Sequence, residues 1–277
     1  MNNIISSDFY RVRKGAALRN TAIGLLAFVV FMLVMFLFMQ SGTIIEMGIS
    51  TNNLSPAEAA EMQQNMQDNL VSIGNGAEFG FTILSEAFMF FFFLPITIAV
   101  FCTDFTAGTY RNTLSFESNR VKVYASKLLL SICLCLVLVI GLIVACLILG
   151  SLAFGVTGMS AAAVGKLLIS ALLQLPICLA TVSICHCLSA LTKKSSSTIA
   201  IFMAGYFILV LILQLTTSVL TLPEWIMLIE PQSAGNLLAS YDTVPMNEVI
   251  LTAAYYLGVT AVTAVIGVTH YRKTDMP

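Results

Sequence analysis

Few residues in this chain have the types and spacing that chemistry requires. Cys185-His186-Cys187 places three metal-ligand types in a row. Adjacent helical residues point to different faces, so the three cannot close on one ion; adding Cys178 makes a site conceivable, against the simpler reading of buried thiols. No metal is expected. Gly165-Lys166 hints at a phosphate loop, but that loop needs glycine where Ser160 stands and Ser or Thr where Leu167 stands. No glycine-rich loop follows a strand anywhere, and no His-Glu-x-x-His is present, so neither ATP binding nor zincin proteolysis is expected of this polypeptide. An ionisable residue inside a membrane would mark an ion path. Glu86 is the candidate and is read at the outer edge of its span; 87–103 carries no charge. His270 lies at the inner end of the last apolar run, where it meets water.

The composition explains these negatives. Of 277 residues, 58% are apolar and 10% are charged, whereas a soluble domain carries about 25% charged residues. Too few charges are present to coat a globule, and the apolar residues fall in long runs. The net charge is −1 and no polybasic tail occurs, which excludes nucleic acid as a natural partner. All seven cysteines (102, 133, 135, 146, 178, 185 and 187) lie in or beside apolar runs. They read as small buried hydrophobes, not as an extracellular disulfide framework.

The elements that must carry the chain are therefore membrane spans of roughly 20 apolar residues each. Six segments qualify: about 21–39, 81–103, 128–154, 167–191, 198–222 and 249–269. The first is too long for a signal-peptide core and reads as a retained span. No alternating barrel pattern occurs, so the spans are helices, kinked where Pro95 and Pro176 interrupt two of them. Twelve of the 13 Lys and Arg residues lie in the N-terminal tail, the second and fourth loops and the C-terminal tail; Lys166 is the exception. The loops 40–80 and 223–248 hold acids and no base. The positive-inside rule then puts both termini in the cytoplasm. Residues 1–20 read as an amphipathic interfacial helix, with Ile5, Phe9 and Val12 on its apolar face. Ser55-Pro56-Ala57-Glu58 reads as a helix start in the long external loop. The apolar piece around Trp225 is too short to span and reads as interfacial or re-entrant. The expected fold is an all-α membrane protein, one transmembrane domain over 1–277.

The most informative segment is the second cytoplasmic loop, 104–127. It holds Asp104, a glycine break at Gly108, a short helical turn over Thr109, Tyr110, Arg111, Asn112, Thr113 and Leu114, and a basic return through Arg120 and Lys127. With Asp104, Gly108-Thr109, Arg111-Asn112-Thr113-Leu114, Arg120 and Lys127 in this order, the chain resembles the permease subunits of type-2 ABC exporters, similar to those for antimicrobial peptides or drugs. Phe116-Glu117-Ser118 departs from the small, glycine-containing turn of that pattern and puts the exit geometry of the turn in doubt. The resemblance implies six spans, a short cytoplasmic coupling helix and a re-entrant piece before the last span. It also implies a bacterial cytoplasmic membrane, a second permease subunit (identical or related), and separate cytoplasmic ABC ATPases that bind ATP and Mg. Residues 109–114 would make the ATPase contact, and this chain would bind no cofactor itself.

The phenylalanine-rich second span, with Phe88, Phe91 and Phe92, suits an amphipathic cargo such as an antimicrobial peptide or a hydrophobic drug; the same rings would equally suit lipid or a partner subunit. The residues alone leave two other readings open. One is an ATP-independent secondary transporter or channel; the other is a membrane immunity or sensor protein that acts by binding.

Overall fold

The structure, a computed structural model, describes residues 2–40, 73–85, 91–106, 108, 119–157, 159–219 and 224–273. Every regular element among them is helical: α1 (Asn2–Lys14), α2 (Ala16–Gln40), α3 (Gly76–Ser85), α4 (Leu94–Thr106), α5 (Arg120–Phe154), α6 (Ala161–Leu173), α7 (Leu175–Thr192), α8 (Ser195–Val219), a 3-10 turn (Glu224–Ile229), α9 (Pro231–Ala239) and α10 (Met246–Lys273).

Five stretches among the described residues are long and apolar enough to cross a membrane: Ala16–Phe38, Arg120–Phe154, Ala161–Thr192, Ser195–Thr217 and Met246–Lys273. The remaining expected span, 81–103, is represented by α3 and α4, and 86–90 lies outside the described residues. Segment 76–85 begins earlier than expected because Asn75 starts a capping box. Its Oδ1 accepts from the Ala77 and Glu78 amides at 3.0 and 3.1 Å, and Glu78 reaches back to the Gly74 amide at 2.7 Å. Both span prolines fall at the second residue of a helix, Pro95 in α4 and Pro176 in α7. A missing N–H costs nothing there. The expected kink at Pro176 is a helix break at Gln174, which separates α6 from α7.

The polarity of the surface is that of a lipid-facing protein. Ile23, Phe31 and Val34 on α2, Phe207, Ile208 and Leu211 on α8, and Ile250, Val262 and Val265 on α10 are exposed, while Thr97, Ser131, Ser183, His186 and Ser189 are buried. Water would not tolerate so much exposed apolar surface. Some of these hydroxyls bond within their own helix: buried Thr97 and Thr181 and half-buried Thr260 each donate to the carbonyl four residues earlier, at 2.8–3.0 Å.

The chain forms two compact units. The first comprises Met1–Leu25, Leu84–Ile140 and Leu168–Pro277. Its centre is α7, rich in Ala, Ser and Cys, which packs on α4, α8 and α10. Small side chains allow helices to approach closely and bond across the gap. Ser183 donates to the Thr260 carbonyl at 3.0 Å and lies 2.7 Å from Thr263 Oγ1. The second unit comprises Leu26–Ile83 and Gly141–Leu167. Here α3 and α5 cross at Gly76 and Gly150; a Cβ on Gly150 would lie 2.8 Å from Gly76 Cα. Phe79 is fully buried between Phe36 and Phe154, with ring centroids 6.1 and 5.8 Å away.

Candidate functional site

The 104–127 segment leaves α4 at Asp104 and joins α5 at Lys127, and these two residues meet. Lys127 Nζ pairs with an Asp104 carboxylate oxygen at 2.5 Å and with Asp8 of α1 at 2.9 Å. Arg11, one turn after Asp8, pairs with Asp8 at 2.9 Å and with Asp104. Two acids and two bases thus alternate in a closed ring with no net charge. The Val100 carbonyl of α4 accepts from Lys127 Nζ at 3.2 Å and from Arg11 Nη2 at 3.4 Å. Lys127 Nζ thus donates to Asp8 and to the Val100 carbonyl and is ion-paired with Asp104. The side chains of Asp8, Asp104 and Lys127 are almost wholly buried, whereas Arg11 is 35% exposed.

Burying charges is tolerable when each has an opposite partner and its hydrogen bonds are made. Each charge of the ring has its opposite partners only when α1, α4 and α5 are all in place, so the ring fixes the N-terminal helix to both ends of the 104–127 segment. Ile4, Asp8 and Val12 form the buried stripe of α1. Of the expected apolar face, Val12 is buried in this stripe, Ile5 is half-buried and Phe9 is 42% exposed. Directing Asp8 at Lys127 turns Phe9 outward.

An aromatic layer packs in the same unit, in contact with α1. Phe101 is surrounded by Phe105, Tyr124, His186 and Tyr271, with centroids 5.2–5.8 Å away. Ile4 and Ala190 belong to the same cluster. His186 Nε2 lies 2.7 Å from Ser131 Oγ, which places this histidine in a buried core contact. Gly267 of α10 lies directly against the Tyr124 phenol, where a Cβ would overlap the ring. Arg120 donates to the Arg272 carbonyl at 3.2 Å and ties the start of α5 to the end of α10.

Of the residues singled out from sequence, Asp104, Arg120 and Lys127 occupy this region, and Gly108, read as a break, has a left-handed backbone at φ +65°. Thr109, Tyr110, Arg111, Asn112, Thr113 and Leu114 lie outside the described residues, as do Glu86, Phe88 and the expected helix start at Ser55. Phe91 and Phe92 diverge. Phe91 stacks edge-on against Tyr206 and Phe202 of α8, and Phe92 lies against Gly24 of α2. Asp8 was missed. Its signal was present as a lone acid three residues before Arg11 on a basic helix, a spacing that allows an ion pair. The piece around Trp225 is the 3-10 turn, and Glu230 then starts α9, which the sequence reading left out.

The apolar spans, the outward-facing aliphatic surface and the family match below make this a multi-pass membrane protein. Comparison with curated proteins and with solved structures returned no match. A family model described as "Multidrug efflux system permease Rv1217c, C-terminal domain" matches residues 15–272, and the chain belongs to that family.

Proposed function

We propose that this chain is the membrane subunit of an ATP-driven ABC exporter of drug-like molecules, with both termini in the cytoplasm of a bacterial cell and a second permease subunit beside it. The family description supports drug efflux and moves the cargo from antimicrobial peptides, the first choice from sequence, to hydrophobic or amphipathic drugs. The observation that carries the coupling role is the ionic ring. It clamps the two ends of the 104–127 segment to each other and to α1. A push on residues 109–114 by a partner ATPase would then reach α4, α5 and α1 together, and through α4 the central helix α7. Energy from a partner ATPase also agrees with spans that hold no chain of ionisable groups from end to end.

The test is reconstitution. Proteoliposomes that hold the chain and its ABC ATPase should export a hydrophobic drug on ATP addition. Proteoliposomes that hold the chain alone should not do so under a proton or sodium gradient. Gradient-driven export by the chain alone would favour the secondary-transporter reading instead.

A further inference from the structure

The break between α6 and α7 lies well inside a span. Gln174 stands about 20 Å along the apolar stretch Ala161–Thr192, at 1.5 Å per residue. The Gln174 amide donates to the Ser170 carbonyl at 3.1 Å, and the Gln174 carbonyl accepts from the amides of Ile177 and Cys178 at 3.1 and 3.2 Å. Pro176 has no N–H to offer the Leu172 carbonyl. Gln174 is the cap residue of the 18-residue helix α7, yet its side chain makes no cap bond. It is 2% exposed, and neither its amide nitrogen nor its amide oxygen has a hydrogen-bond partner among the described residues. Ser170, one turn earlier on the same face, is fully buried and donates from Oγ to the Ala239 carbonyl at 3.3 Å. The end of α9 therefore lies against the face that carries Gln174.

A buried polar group that makes no hydrogen bond costs stability, and a carboxamide carries two donors and an acceptor. Discontinuous helices are a recurrent way to place polar groups for a substrate at membrane depth. The chemistry at this break narrows the substrate. Between Leu167 and Thr192 the chain has no Asp, Glu, Lys or Arg, so the break offers hydrogen bonds and no counter-charge. A ligand satisfies an amide N–H and an amide oxygen together when it presents an acceptor and a donor side by side, as a carboxamide, lactam or urea does. Ile177 and Cys178, in the first turn of α7, are buried and apolar, which suits an apolar body on the same molecule.

We propose that the Gln174 side chain, at the α6–α7 break beside Ser170, recognises the amide group of a neutral hydrophobic molecule; this deepens the drug-export reading and rests on it. The probe is radiolabelled adamantane-1-carboxamide, bound by equilibrium dialysis to the full chain in nanodiscs of zwitterionic lipid, with binding to empty nanodiscs subtracted. Methyl adamantane-1-carboxylate, similar in size and without an N–H, is the counterpart. Gln174→Leu should weaken binding of the carboxamide by about tenfold, the loss of two hydrogen bonds, and that of the ester by about threefold or less. Gln174→Asn, which keeps the amide on a shorter stem, should recover part of the loss. Should Gln174→Leu fail to fold, Gln174→Met, unbranched and of similar length, carries the test. The thermal midpoint of Gln174→Leu should stay level or rise, since a polar group without a partner gives way to an apolar one. Absence of carboxamide binding to the wild-type chain, equal binding to wild type and Gln174→Leu, or a large fall in that midpoint overturns the site. Export of a neutral drug without an N–H by the reconstituted complex is measured in parallel. Normal export of that drug with an indifferent Gln174→Leu result removes this site and leaves the export reading standing, whereas export of neither compound removes the export reading itself.

Discussion

Asp8 and Asp104 are buried against Arg11 and Lys127, each acid touching both bases, whereas Glu230 is buried with a serine hydroxyl as its hydrogen-bond donor and no base beside it among the described residues. The two places are joined by α10. Tyr271 belongs to the aromatic cluster that includes Ile4 of α1, and Tyr256 stands beside Glu230, a separation of about 22 Å along a helix that rises 1.5 Å per residue. The contrast separates two uses of a buried charge. A set of charges that closes on itself fixes elements to one another and has nothing left for a ligand. An acid whose opposite charge is missing contributes little to the fold.

That contrast orders the effects of substitution. Lys127→Met leaves two buried carboxylates to share Arg11 and should cost about 3–5 kcal/mol, read as a fall in thermal unfolding temperature in detergent. The exchange Asp104→Lys with Lys127→Asp should recover part of it, and an unchanged midpoint for Lys127→Met would mean that the ring does not hold α1. Gly267→Ala drives a methyl into the Tyr124 ring of the aromatic cluster and should cost about 1–3 kcal/mol by overpacking. Arg11→Met should cost less than Lys127→Met, on the order of 1 kcal/mol, because a partly exposed pair is screened by solvent. Glu230→Gln should leave the midpoint level or raise it, since it removes a buried charge that no base compensates. A large loss there would show that Glu230 serves the fold.

The long helices were legible because composition and run length in a bilayer leave the backbone one solution. Local signals explain some differences. Asn75-x-x-Glu78 is a capping box in plain sequence, yet the hydrophobic run at 81 drew the boundary there. Pro176 announced a break, although its place at Gln174 follows from proline's tolerance at the second residue of a helix. The ring was only half legible. Asp104 and Lys127 stood out as the ends of one patterned segment, but Asp8 is 119 residues from Lys127 and Arg11 is 93 from Asp104. Pairings at such separations come from how α1 docks, which no local pattern states. Glu230 read as one acid among several in an external loop. Its burial depends on the 3-10 turn and α10 packing on α9, which no local pattern states.

The central claim, that a separate ATPase engages the turn between the ends joined by the ring, is tested most directly by co-purification. Wild-type chain extracted in mild detergent should retain its ABC ATPase through affinity purification. Arg111→Glu combined with Leu114→Asp should reach the membrane in normal amount and lose the ATPase. Recovery of the ATPase at the wild-type level by that double variant would contradict the account.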